Sequence, residues 1–222
     1  MVERITDHGD RVYTVELKPE RPVPAFHPGQ FLHLTVDDYD PSGFWPESRV
    51  FSIASSPMDR SRLTIIYSVK GQYTSRMEKE MCAGKVVWVK LPYGEFVVDG
   101  RADVVLIAGG TGITAFQAFI EGLSPEHPHK VVLLFGARRP ELLLGRERIE
   151  EKGREAGYLR RFYFAETDHP VFPPNVGGAL RAATGRIGSV VRTVAARSAP
   201  PTLKRGRLFP DAFGLMFSTI VP

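Results

Sequence analysis

The segment Asp103-Val-Val-Leu-Ile-Ala108, running into Gly109-Gly-Thr-Gly-Ile-Thr114, constrains this chain more than any other. An unbroken apolar run is what a strand buried on both faces requires, and such strands belong to parallel sheets covered by helices. Glycines end the run. They admit positive φ and let the backbone approach a ligand with no Cβ in the way. A helical stretch from Ile113 to Leu123 follows, and the free amides and dipole at its start favour an anion, most naturally a pyrophosphate. Glycines also serve tight strand–helix turns with nothing bound. The segment is not G-x-G-x-x-G, so it names no cofactor by itself.

The rest of the chain falls into place around it. Lys130–Phe135 reads as a second buried strand, Glu141–Glu155 as a charged helix and Arg161–Ala165 as a third strand. That order means α/β with a parallel sheet. Before Gly100 the pattern is different. Arg11–Leu17, Phe31–Val36, Val50–Ile53, Leu63–Val69, Val86–Leu91 and Glu95–Val98 are short, rich in β-branched and aromatic residues, and separated by Pro, Gly, Asp and Ser. Six such strands predict a closed antiparallel barrel or a sandwich. One helix interrupts them, Thr74–Met81, with Thr74 or Ser75 as its N-cap. The reading is therefore a β domain over 1–99, an α/β domain over 100–175 and an atypical tail over 176–222. In the tail, Val190–Ala196 is compatible with a helix and Ala212–Val221 is apolar.

Charge supports this division. The net charge of +4 hides a tail with seven basic residues against the one acid Asp211, and a body with 22 basic and 24 acidic residues. A basic excess confined to the tail argues against a nucleic-acid partner. The abrupt change marks 176–222 as a divergent or frame-shifted end. Hydrophobic residues make up 43% and charged residues 24%, the balance of a chain that packs a core. Cys82 is the only cysteine, which excludes an internal disulfide and any cluster that needs several thiolates. No apolar run approaches the roughly 20 residues of a membrane helix, and the charged first residues hold no signal-peptide core. A cytoplasmic protein without a membrane span is expected. His127-Pro-His129 lacks a third ligand and is not read as a metal site.

Two further constellations carry chemistry. In Arg49-Val-Phe-Ser-Ile-Ala-Ser55, alternation sets Arg49, Phe51 and Ile53 on one face. An arginine fork holds a phosphate, an aromatic ring stacks on a ring system, and serine hydroxyls donate to ring nitrogens. A strand with a surface arginine and a core phenylalanine would look the same. Gly71-Gln-Tyr-Thr-Ser75 repeats the glycine-then-helix arrangement, again suited to a phosphate or simply to a capped helix. Phosphate-suited turns in both halves point to two nucleotide-like ligands meeting between domains, the geometry of a transfer reaction.

At these residues the chain resembles the ferredoxin–NADP reductase superfamily, over about Val12–Asp168. Pro28-Gly-Gln-Phe31 resembles its P-G-Q-F, Arg49-Val-Phe-Ser52 with Ser55 its R-x-[YF]-S-x-x-S flavin signature, and Gly71-Gln-Tyr-Thr74 its G-x-x-[ST]. Pro92-Tyr-Gly-Glu-Phe96, Gly109-Gly-Thr-Gly-Ile-Thr114 and Phe135-Gly-Ala-Arg138 resemble its P-x-G-x-F, G-G-T-G-[IL]-[TA] and [YF]-G-x-R. The resemblance implies a six-stranded antiparallel flavin-binding barrel followed by a parallel-sheet nicotinamide-nucleotide domain, with FAD and either NADH or NADPH as cofactors. It implies that Arg49 pairs with the flavin phosphate, Phe51 lies against the isoalloxazine and Ser52 hydrogen-bonds near its N5. Ser55, Val69, Gly71, Tyr73, Thr74 and Ser75 complete the flavin set. Gly109, Gly110, Thr111, Gly112, Ile113 and Arg138 form the nicotinamide-nucleotide set, and Ser52 and Thr111 are the candidate catalytic residues.

The implied activity takes hydride from NAD(P)H and passes electrons to a separate acceptor, a protein or a small molecule. The alternatives are an NAD(P)H:flavin reductase and a flavin-binding electron-transfer subunit with an impaired nicotinamide site. Relatives that prefer the 2′-phosphate place Ser-Arg where this chain has Ala165-Glu-Thr-Asp168, so NADH is preferred, although Arg138 and Arg139 pull the other way. The family's closing [CS]-G-P strand is not found after Pro173; only Gly185-Arg-Ile187 resembles the segment before it.

Overall fold

A computed structural model describes residues 1–165, 191–197 and 218–221. These fall into two compact units, one formed by Met1–Asp99 with Thr114–Leu123 and the other by Gly100–Ile113 with Ser124–Pro222. Among the described residues no helix is long and apolar enough to cross a membrane.

The first unit is built from β1 (Val2–Asp7), β2 (Val12–Leu17), β3 (Phe31–Thr35), β4 (Arg49–Ser52), β5 (Leu63–Ser68), α1 (Gln72–Glu80) and β6 (Trp88–Tyr93). The strands form two antiparallel three-stranded sheets, ordered β1-β2-β5 and β4-β3-β6, rather than one continuous six-stranded ladder. Isolated backbone bonds join the seams instead of ladders: Ala54 donates to the Thr64 carbonyl at 2.8 Å, and Val2 to Lys85 at 2.8 Å. β4 is four residues long, and just past it Ile53 turns its amide to the Gln30 carbonyl at 3.0 Å. The core between the sheets is apolar at every second position, with Val15, Leu32, Leu34, Ile53, Ile65 and Met77 at 0% exposure. Ala118 belongs to the same cluster.

The set of strands also differs from expectation. Val2–Asp7 is a strand although Glu3, Arg4 and Asp7 hide it in the sequence; only Val2 is buried, as in an edge strand. Glu95–Val98 is not a strand. The chain turns at Gly94, φ +94°, and Val98 donates to the Pro28 carbonyl at 2.9 Å.

The second unit holds β7 (Asp103–Gly109), β8 (Val131–Ala137), α3 (Arg146–Glu155), β9 (Leu159–Ala165), β10 (Val191–Arg197) and β11 (Ser218–Val221) in one sheet ordered β11-β10-β7-β8-β9. β10, β7, β8 and β9 are parallel, and β11 is antiparallel to β10. All seven residues of β8 are buried, as a central parallel strand requires. Val191–Arg197, within a segment that the sequence left compatible with a helix, is a strand aligned with the whole of β7 from Val191↔Asp103 to Arg197↔Gly109. The charged helix begins later than expected. A 3₁₀ turn at Pro140–Leu142 precedes Gly145, φ +71°, which caps α3.

Candidate functional site

Two sequence motifs meet at the start of α1. The N-cap is Gly71 rather than Thr74 or Ser75. Thr74 stands three residues inside, and its hydroxyl accepts from the Lys70 amide at 2.9 Å and the Gly71 amide at 3.1 Å. The Thr74 hydroxyl is therefore spent on capping, and the amides of Gln72, Tyr73 and Thr74 are the ones without an intrahelical acceptor. Gly71 is extended, φ −150°, and a Cβ there would meet nothing within 4 Å. Any residue fits that backbone, so what glycine keeps is open space at a helix start.

Arg49 reaches the first turn of α1 through Tyr73. Its guanidinium lies 4.6 Å from the centroid of the Tyr73 ring, donates to the Ser48 carbonyl at 2.8 Å and to Glu47 at 2.7 Å. Tyr73 is buried, and its hydroxyl accepts from the Val36 amide at 3.2 Å and lies 3.2 Å from the carbonyls of Leu34 and Glu47. The ring is thus a fixed platform for an exposed cation, with stacking and hydrogen bonds acting together. One guanidinium is thereby held against the ring of a first-turn residue of α1. The far side of α1 is anchored by Glu78, which accepts from Arg11 at 2.5 Å and Tyr13 at 2.9 Å. The Arg11 guanidinium holds the Glu78 carboxyl below the usual carboxylate range. Ser75 faces Arg11 at 3.4 Å.

The remaining flavin candidates divide. Ser52 is half-buried, and its hydroxyl makes no hydrogen bond to the described residues. Ser55 is occupied, accepting from the Thr64 amide at 3.2 Å across the seam. Val69 is half-buried and donates its amide to Arg11 at 2.9 Å. Phe51 corrects the expectation most clearly. It is 9% exposed, sits in the core and meets Tyr67 edge-on at 6.1 Å, so little of its ring is left for a ligand. Alternation placed it correctly with Ile53, but that face is the core.

In the second unit, Gly109 ends β7 and Gly110, φ +53°, opens a 3₁₀ turn over Gly110–Ile113 that runs into α2 (Thr114–Glu121). The positive φ is a reason for glycine at 110. Gly112 and Ile113 are buried, whereas Gly110 and Thr111 remain accessible. Strand register sets Gly109 beside Gly136 and Arg197, at the carboxyl ends of adjacent parallel strands. Ligands of open α/β sheets gather at that edge. Arg138 follows directly on β8 and is exposed, with no ion pair to the described residues. Glu166, Thr167 and Asp168, on which the NADH preference rests, lie outside the described residues, as does Gly185-Arg-Ile187.

Residues 106–174 match the family model of the oxidoreductase NAD-binding domain. The phenol 2-monooxygenase reductase component DmpP of Pseudomonas sp. (strain CF600) is 31% identical over 68% of this chain and 42% of its own length. A flavohemoprotein of Rhizobium meliloti (strain 1021) is 29% identical over 67% of this chain and 38% of its own. The chain therefore spans less than half the length of these curated relatives. The crystal structure of the flavohem-like FAD/NAD-binding domain of nitric oxide dioxygenase from Vibrio cholerae O1 biovar El Tor superposes with a TM-score of 0.63. It is 20% identical, and the match covers 77% of this chain and 76% of that domain. Sequence match, strand order and the two glycine turns agree: the chain is similar in sequence to reductases and flavohemoproteins, and its fold is ferredoxin–NADP reductase-like.

Proposed function

We propose that the chain is the FAD- and NAD(P)H-binding part of a flavin-dependent oxidoreductase, taking hydride from NAD(P)H and delivering electrons to an external acceptor. The observation that carries this reading is the Arg49–Tyr73 contact, which joins the R-x-F-S and G-Q-Y-T segments into one cradle for a doubly charged pyrophosphate. The relatives named as a monooxygenase reductase component and an FAD/NAD-binding domain support it.

The chain's own residues then have separate tasks. Arg49 and the amides of Gln72, Tyr73 and Thr74 hold the FAD pyrophosphate. Ser52 offers its uncommitted hydroxyl to a flavin ring nitrogen. Gly110, Thr111 and Gly112 hold the nicotinamide-nucleotide phosphates at the start of α2, and Arg138 meets the adenosine side. Bound flavin supplies the redox chemistry, accepting a hydride and releasing electrons, so the protein needs no side-chain nucleophile. Residues 1–99 serve the flavin and the α/β sheet serves NAD(P)H, with NADH preferred because the sequence Ala165-Glu-Thr-Asp168 carries acids where relatives that prefer the 2′-phosphate carry Ser-Arg. One cysteine cannot ligate an iron–sulfur cluster, so the acceptor lies outside these 222 residues.

Purified protein reconstituted with FAD should stay yellow through gel filtration, and anaerobic NADH should bleach its visible band. Protein that retains no flavin refutes the proposal. A kcat/KM favouring NADPH several-fold would reverse the nucleotide preference alone.

A further inference from the structure

The loop between β3 and β4, residues 36–48, carries the most exposed ring among the described residues, and no assigned role uses it. Phe44 is 101% exposed. A lone apolar residue at a surface needs no explanation, but this one stands on a built support. Trp88 and Lys90 share one face of β6. Tyr39 meets Trp88 edge-on at 5.5 Å and Trp45 edge-on at 5.0 Å. The Lys90 ammonium lies over Trp45 at 4.3 Å and Tyr39 at 5.5 Å, and Trp45 Nε1 donates to Ser48 Oγ at 2.9 Å. Both limbs of the loop are thus pinned to the sheet. Between them a turn closes: the Gly43 amide donates to the Asp40 carbonyl at 2.8 Å, and the Asp40 carboxylate accepts from the Ser42 amide at 2.9 Å and hydroxyl at 2.8 Å. Phe44 follows this turn and stands clear of the three half-buried rings beside it. A side chain that would gain by folding onto those rings is held in water.

The charge around this ring has one sign. Residues 36–48 include Asp37, Asp38, Asp40 and Glu47 and no lysine or arginine. Arg76 takes Asp37 at 2.5 Å, and Arg49 takes Glu47 at 2.7 Å. Asp38 and Asp40 are exposed and form no ion pair among the described residues. Lys90, the cation packed against the loop from β6, has its ammonium laid over the rings. A bare ring flanked by two unpaired carboxylates is repelled by an anionic lipid surface and attracted to a cationic protein surface. We propose that Phe44 anchors a protein–protein interface, entering an apolar pocket rimmed by lysine or arginine on a separate protein. The inference goes beyond the flavin reading and does not depend on it. The pinned turn suits the role, since a loop already folded loses little conformational freedom on binding. Aromatic anchors in desolvated pockets dominate the energy of such contacts, whereas rim charges set association rate and salt dependence. Phe44 and the pair Asp38 and Asp40 therefore have separable effects.

The test uses the full chain with the photo-cross-linking residue p-benzoylphenylalanine at position 44, irradiated in the cells that make the protein. The cross-linked protein is identified by mass spectrometry, purified, and titrated calorimetrically against wild type and three variants. These are Phe44→Ala, the double change Asp38→Asn with Asp40→Asn, and Met58→Ala, which removes another exposed apolar side chain, 84% exposed. The expected partner has a basic surface, and Phe44→Ala weakens its binding about 10–100-fold. The double asparagine variant should weaken it less and give a shallower dependence of Kd on salt. Met58→Ala should bind as wild type does. Fluorescence of Trp45 and Trp88 should be unchanged in Phe44→Ala, since the lost ring touches no core. Cross-links only between two copies of this chain, no cross-link at all, or binding untouched by Phe44→Ala would each overturn the inference. Retention of wild type, but not of Phe44→Ala, on phosphatidylglycerol vesicles would give the ring to a membrane and overturn it equally.

Discussion

Gly29→Ala should be among the most damaging single-methyl changes in the first unit. Gly29 has φ +99°, and the Gln30 amide closes the turn onto the His27 carbonyl at 3.1 Å. An alanine there pays backbone strain of about 1–3 kcal/mol. Its Cβ would also stand 2.7 Å from the Phe96 carbonyl oxygen and 2.8 Å from the Phe96 ring. A ring can tilt away, but the carbonyl belongs to the backbone that pairs Val98 with Pro28 at 2.9 Å, so forced displacement adds about 1–3 kcal/mol. The expected loss is about 4 kcal/mol, which moves a urea midpoint by about 2 M if the slope is about 2 kcal/mol/M. Trp45 and Trp88 are the two tryptophans of the chain and both lie in the first unit, so indole fluorescence reports that unit's unfolding. Gly84→Ala is the control: φ is +87°, yet nothing lies within 4 Å of the added methyl, so only the strain part is lost. A Gly29→Ala loss no larger than that of Gly84→Ala would refute the steric argument.

Other outcomes follow from the site. Gly71→Ala should leave stability within about 0.5 kcal/mol, since its methyl meets no neighbour, while weakening FAD binding several-fold in a fluorescence titration. Arg49→Gln removes a charge-assisted contact and should weaken FAD by about 10–100-fold, with a shallower dependence of Kd on salt. Burial pushes the His8 imidazole below its ordinary 6.5, and burial with the nearby His129 does the same to His127. Folding favours the neutral rings, so this stability is complete above pH 6.5 and is lost as pH falls through the lower folded values. The fall in urea midpoint between about pH 7 and 5 should be shallower in His8→Gln, which loses the titrating group.

What could be read from sequence was what local pattern encodes. The apolar runs at Val104–Ala108 and Val131–Phe135, and the glycines after them, lie where periodicity and turn chemistry put them. Burial on a given face was harder. Arg49, Phe51 and Ile53 do alternate with Val50 and Ser52, but alternation does not say which face is core, and Phe51 went inward with Ile53. Val191–Arg197 has too little period to separate helix from strand; its partner β7, more than 80 residues earlier in the chain, makes the choice. The proposed cradle was visible as two separate segments. Their meeting through the Arg49 guanidinium and the Tyr73 ring depends on how strand and helix pack, which no spacing in the chain records.

The α2 segment bears on any attempt to express the first unit alone. Ala118 is wholly buried in the cluster that fills the first unit, and Phe116 stands 6.4 Å from Phe96, although both come after the change of character at Gly100. A fragment stopped at codon 99 would leave that apolar patch open to water and tend to self-associate. Ordered excision must instead carry the polypeptide through Leu123, taking one parallel strand of the neighbouring sheet along as an orphan.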